Sequence, residues 1–188
     1  MSAARGGYHQ GVNESNAAGR AAAGIRALTA SLAASLADAR ARDEALAVFE
    51  PARRRFGVTR AERMRPVGRV WRLGALLLGP AGELYGTGRV VRAEQPARRS
   101  VIALAVAEQR AYQAAAVRGG YAAGETVNFD AVPVDIDELV RTDASGPLVL
   151  NGGVAFVRWS ATQPDALAEL APYLRDRAAL LLEPPAGA

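Results

Sequence analysis

Residues 69–92 limit the fold more than any other stretch. Two largely apolar runs flank Gly79-Pro80-Ala81-Gly82-Glu83. Proline presets φ and glycine admits positive φ, so these five residues reverse the chain between two strands. Trp71, Leu73, Ala75 and Leu77 share one face of the outgoing strand. Val70, Arg72, Gly74, Leu76 and Leu78 share the other. Both faces are apolar near the turn, which calls for cover by helices on one side and by a partner on the other. Gly86 and Gly88 leave a gap on one face of the return strand, where a helix or another backbone can enter.

A second hairpin is expected over 148–159, where Asn151-Gly152 separates two apolar runs. Helical spacing of Ile25, Leu28, Leu32 and Leu36 predicts a helix over 16–40, capped by Ser15 or Asn16. A second helix is expected over 43–55 with Leu46 and Phe49 inward, ended or kinked by Pro51. A short turn at 59–64 has capping-box spacing in Thr59 and Glu62, and Pro66 and Gly68 lead into the hairpin. A third helix runs from Pro96 to about Arg118 and stops at Gly119-Gly120. Residues 126–136 alternate, and Pro133 marks them as an edge strand or extended loop. The last helix is expected after Thr162, with Leu167, Leu170, Leu174, Ala178 and Leu181 as its stripe, a kink at Pro172 and an end at Pro184-Pro185. The expected architecture is α+β: an antiparallel sheet built from two hairpins, packed by about four helices. Residues 1–15 are expected as a flexible arm and 16–188 as a single domain, helical over 16–65, with sheet and helices over 66–188.

Composition narrows the chemistry. All 23 basic residues are arginine, and lysine and cysteine are absent. The arginine bias matches a GC-rich coding preference, but it has chemical consequences. No Schiff base, Walker phosphate loop, Ser-x-x-Lys nucleophile, thiolate or disulfide can form. His9 is the only histidine and falls in the expected arm, so no Ser-His-Asp triad or common zinc site is expected. Gly86-Thr87-Gly88 is too short for a dinucleotide fingerprint. No cofactor is expected. No apolar run approaches the roughly 20 residues that span a bilayer, and no apolar signal-peptide region opens the sequence. The expectation is a cytoplasmic protein without membrane contact.

Charge is polarised. Residues 1–120 hold 19 arginines against 9 acids, and residues 121–188 hold 4 against 10. Such a chain can dock head to tail on a copy of itself. Arg53, Arg54, Arg55, Arg60, Arg63, Arg65, Arg69 and Arg72 form a candidate basic face. Convergent guanidinium groups bind phosphate, and Phe56 or Trp71 can stack a base; the simpler reading is a solvated face paired with the acidic half. Asp130, Asp135, Asp137 and Glu138 form an acidic cluster of the type that holds Mg²⁺ or Ca²⁺. Its spacing matches no EF-hand, and a strand edge with a helix cap explains it better, so no metal site is assigned. Tyr85, Tyr112, Tyr121, Trp71 and Trp159 are expected in the core rather than lining a pocket.

The segments Arg69-Val-Trp-Arg-Leu-Gly, Glu125-Thr-Val-Asn-Phe-Asp130, Val157-Arg-Trp-Ser160 and Tyr173-Leu-Arg-Asp-Arg177 resemble a small actinobacterial family of uncharacterised proteins, some of them labelled glutaminase. The similarity covers about residues 40–188. It implies amide hydrolysis, which sits badly with a chain lacking both the lysine of serine-type glutaminases and the cysteine of amidotransferases. No catalytic residue is carried over. The leading expectation is a non-catalytic interaction or assembly protein that self-associates into a homo-oligomer or holds a protein partner. An amide hydrolase and an arginine-rich nucleic-acid binder are the alternatives, with nucleic acid ranked behind a protein partner.

Overall fold

The computed structural model describes residues 6–55, 57–94, 104–160, 162–163 and 165–183, with backbone alone at 6–15, 55, 58, 104 and 105. Phe56, Pro96, Pro184, Pro185 and the His9 side chain lie outside the described residues. In chain order the elements are α1 (Gly6–Asp38), β1 (Glu44–Glu50), β2 (Arg53–Arg55), β3 (Val58–Arg60), β4 (Arg63–Leu73), β5 (Leu76–Leu78), β6 (Leu84–Gly86) and β7 (Arg89–Arg92). Then come α2 (Leu104–Arg118), β8 (Thr126–Phe129), β9 (Val132–Pro133), α3 (Ile136–Thr142), β10 (Ala144–Ser145), β11 (Leu148–Asn151), β12 (Val154–Arg158), β13 (Leu167–Glu169) and α4 (Leu170–Leu182). The fold is α+β with four helices among the described residues, as the apolar patterning implies. The chain forms two compact units, each assembled from separated segments.

One unit comprises Asp43–Trp71 and Thr87–Val132. Its strand order is β7-β8-β1-β4. β1 is hydrogen-bonded on both edges, antiparallel to β4 from Glu44↔Val70 to Glu50↔Arg63 and parallel to β8 at Ala45↔Val127 and Leu46↔Asn128. The helix expected over 43–55 is therefore strand, and the turn expected over 59–64 is β3 and the start of β4. Ala45, Leu46 and Ala47 are all buried. Three consecutive buried residues suit a strand covered on both faces, not a one-sided surface helix. Long-range pairing overrides the helical preference of alanine here. The helical part expected over 16–65 thus reduces to α1, which begins at Gly6.

β4 runs straight through Pro66, which the sequence places in a lead-in loop. The register skips Val67 between Leu46↔Gly68 and Ala47↔Pro66. This bulge accommodates a residue with no N–H to give the ladder. Behind the sheet, Ala115 and Ala116 of α2 pack with Ala45, Ala47, Met64, Val127 and Phe129. Small side chains let the helix backbone come close. Gly119 ends α2, and a Cβ there would overlap the Met64 carbonyl oxygen. Gly88 meets the backbone of Phe129 and Asp130, the close approach expected of it. Beyond Glu50↔Arg63, the chain between β1 and β4 forms a separate two-stranded ribbon, β2–β3, paired Arg53↔Arg60, Arg54↔Thr59 and Arg55↔Val58.

The other unit comprises the chain up to Arg42, Arg72–Gly86 and the chain from Pro133 onward. The turn at 79–83 forms as expected, closed by Gly79 N–H to the Glu83 carbonyl at 2.8 Å, and pairs Leu78↔Leu84 and Leu76↔Gly86. The outgoing strand is not continuous, however. Gly74, at φ +66°, turns the chain between β4 and β5. The Tyr173 hydroxyl accepts the Ala75 N–H at 2.8 Å there, in the space a side chain at 74 would fill. A four-stranded antiparallel sheet, β10-β11-β12-β13, carries the second expected hairpin. Its last pair is Asn151↔Val154, so the two-residue loop is Gly152-Gly153, both at positive φ as a type I′ turn demands. Pro172 does not kink α4, because it occupies the first turn, where no intrahelical N–H is needed. Thr162 does not cap α4 either: Glu169 holds the N-cap position, and Leu167 belongs to β13.

Replacing Gly119 by alanine is expected to destabilise the protein by about 1–3 kcal/mol through overpacking against the Met64 carbonyl. Gly68→Ala, where an added Cβ meets nothing within 4 Å, is expected to stay within about 0.5 kcal/mol. Urea unfolding of the two variants checks this contrast.

Candidate functional site

The structure divides the eight arginines of the basic segment. Arg69 donates to Asp43 Oδ1 at 2.7 Å and to Glu125 Oε1, tying the start of β1 to the loop before β8. Asp43 first, then Glu125, holds the Arg69 guanidinium above its ordinary pKa. Arg72 is half-buried at the end of β4. Arg63 and Arg65 both grip Glu50, at 2.7 and 3.0 Å. The Arg55 side chain lies outside the described residues.

Arg53, Arg54 and Arg60 are left. All three are exposed and form no ion pair among the described residues. Arg53 and Arg60 are direct partners across the ribbon. With Arg63 they line a cavity of about 190 Å³, completed by Glu50, Pro51 and Ala61. The three guanidinium groups and one carboxylate give this lining a formal excess of two positive charges. Hydrogen bonding from Arg63 is the main cause that keeps the Glu50 carboxyl below its ordinary value of 4.5; desolvation, next in size, opposes it, and Arg65 adds to the lowering. The sequence pattern does not single out Glu50, because 43–55 reads as helix. Taking Val48 and Phe49 as strand residues before Pro51 places Glu50 at the end of a strand, facing the next basic run.

The acidic cluster does not become a cation site. Asp135 caps α3, accepting the N–H groups of Asp137 and Glu138 at 2.8 and 3.0 Å, and these bonds lower its pKa, Glu138 first. Asp137 pairs with Arg26 at 2.6 Å, and Glu138 accepts from the Ser145 hydroxyl at 3.2 Å. Asp130, at φ +54°, lies 3.8 Å from Arg89. Among the described residues no group of three or more His, Cys, Asp or Glu is placed to hold a metal ion.

One polar network outside these clusters has reactive groups. The Tyr112 hydroxyl donates to Glu108 at 2.8 Å and accepts from Arg89. Its ring packs 5.1 Å from Phe49 and 4.8 Å from Phe129. Glu108 raises the Tyr112 pKa, the wrong direction for a phenolate nucleophile. Trp71 is only 6% exposed and cannot stack a base, whereas Trp159, expected in the core, is 51% exposed. A separate cavity of about 330 Å³ lies among Ala21, Ile25, Leu28, Val154 and Leu170, with Glu169 and Arg175 at its lining.

No family model matches the chain, and no curated protein or solved structure matches it. Arg69 in its double ion pair, Asn128 bonding Glu44 at 2.7 Å, and Tyr173 at the Gly74 turn have structural duties.

The Glu50 carboxyl is depressed in the folded state. Its stabilising contribution is complete above pH 4.5 and is lost as pH falls through the folded value. The stability gap between the wild-type protein and Glu50→Gln is therefore expected to shrink between pH 7 and pH 3 in urea unfolding. A gap constant over that range would show that the Arg63 and Arg65 pairs do not act on folding.

Proposed function

We propose that the protein is a non-catalytic interaction protein that self-associates, with the β2–β3 ribbon as its contact surface. One observation carries this reading: Arg53 and Arg60 are paired across a separate two-stranded ribbon and form no ion pair among the described residues. Like charges directly opposite destabilise a strand pair, and a lone two-stranded ribbon is marginal in water. An anion that docks between them turns that repulsion into attraction. The chain carries suitable anions itself. Asp143, Asp165, Glu169, Asp176 and Glu183 are exposed and form no ion pair among the described residues. A second copy therefore supplies complementary charge. Multivalent guanidinium–carboxylate contacts of this kind steer association and weaken with salt.

Nucleic acid has less support, since Trp71 is buried and the exposed members of the basic segment that form no ion pair among the described residues, Arg53, Arg54 and Arg60, lie on a short ribbon rather than a track for a backbone. Amide hydrolysis gains nothing from Tyr112, whose proton is held more tightly than usual.

Light scattering at rising protein concentration is expected to show oligomers at low salt that dissociate at high salt. The double variant Arg53→Glu/Arg60→Glu is expected to be monomeric throughout. A strict monomer in the wild-type protein, or oligomers untouched by the double variant, would contradict the reading.

A further inference from the structure

The cavity at the root of the ribbon is small. At about 190 Å³ it falls below the range of about 300–1,000 Å³ typical of sites for whole drug-sized ligands. It suits one charged group at the end of a larger molecule. Its charged lining consists of Glu50 from β1, Arg53 from β2, Arg60 from β3 and Arg63 from β4, with Arg65 on the other oxygen of Glu50.

We infer that this cavity is a phosphomonoester site, in which Arg53, Arg60 and Arg63 clamp a dianion and Glu50 is the built-in competitor for Arg63. The inference rests on the reading of the ribbon as an anion-binding surface and adds its ligand class. Three features support it. The excess of two positive charges matches a phosphomonoester, which carries about −1.5 to −2 at pH 7, better than a diester or a single carboxylate. Guanidinium groups bind phosphate oxygens bidentately, and three of them line a space that holds little else. Finally, Glu50 already occupies Arg63 through one carboxylate oxygen at 2.7 Å, showing that the pocket accepts anionic oxygen from within the chain. A phosphomonoester that takes over Arg63 also takes Arg53 and Arg60 from a second copy, so it is expected to dissolve the assembly.

Isothermal titration of the full chain, dilute enough to be monomeric, tests the site without reference to assembly. Phenyl phosphate at pH 7.5 is expected to bind once per chain, and dimethyl phosphate at least about tenfold more weakly. Because the second phosphate pKa lies near 6, while Glu50 stays ionised, binding is expected to fall about tenfold at pH 5. Glu50→Gln is expected to strengthen binding several-fold and Arg60→Gln to weaken it at least about tenfold, one lost charge-assisted contact. Arg53→Gln replaces Arg60→Gln if the latter fails to fold, as judged by circular dichroism. Equal affinity for monoester and diester would overturn the inference. So would weaker binding by a folded Glu50→Gln protein, or binding indifferent to both arginine variants. If phenyl phosphate does not bind but the salt-sensitive oligomer still depends on Arg53 and Arg60, the phosphate site falls and self-association stands. If a strict monomer binds phenyl phosphate, self-association falls and the phosphate site stands.

Discussion

Hydrogen bonding of β1 on both edges is the constraint from which the unit formed by Asp43–Trp71 and Thr87–Val132 follows. A strand paired antiparallel to β4 and parallel to β8 has no free edge, and the helix α2 covers it closely because Ala45 and Ala47 meet Ala115 and Ala116. Such a strand cannot end in a frayed tip without consequence. At its last pair, Glu50↔Arg63, the ladder stops and the chain still has to return to β4. Arg63 and Arg65 clamp Glu50 at that point, and the ribbon of β2 and β3 continues beyond it. The position of the exposed arginines is thus a product of where the β1–β4 ladder runs out.

The same geometry sorts arginines by duty. Arg69 lies near the end of the ladder away from the ribbon, opposite Ala45, and its guanidinium ties together two acids from different segments. Arg63 and Arg65 sit at the margin and share one acid. Arg53 and Arg60, past the margin, are paired across the ribbon and form no ion pair among the described residues. Counter-charge thins out along the hairpin toward its tip. A surface charge without an internal partner costs little in water, but two of one sign held opposite in a narrow ribbon carry a standing repulsion. In the proposed function, that repulsion is what gives an incoming anion its advantage.

Local turn chemistry is legible in the sequence. Gly82 in the first hairpin turn, Gly120 after α2 and the two glycines after Asn151 each take positive φ, a local preference that needs no distant partner, and each turn forms, the last one residue later than expected. The gap at Gly88 is equally legible, because a missing side chain predicts a close neighbour. β1 is not. Its Ala-Leu-Ala run is ambiguous by composition and becomes strand only through β4 and β8, which are distant in sequence. Unless β1 is taken as strand, Glu50 cannot be placed opposite Arg63. The basic segment is visible as eight arginines, but its division into structural and unpaired members depends on Asp43, Glu50 and Glu125. The acidic cluster dissolves for a similar reason: its members serve a helix cap, an ion pair and a hydroxyl rather than one shared point.

Amide hydrogen exchange across the β1–β4 hairpin tests most directly whether the ribbon is held by what it binds and not by itself. In dilute protein at low anion concentration, amides of β2 and β3 should exchange far faster than those of β1 and β4. They should slow when the protein is concentrated into its assembled form. Protection in the ribbon equal to that of β1 in the dilute monomer, unchanged on assembly, would contradict a ribbon that depends on its ligand.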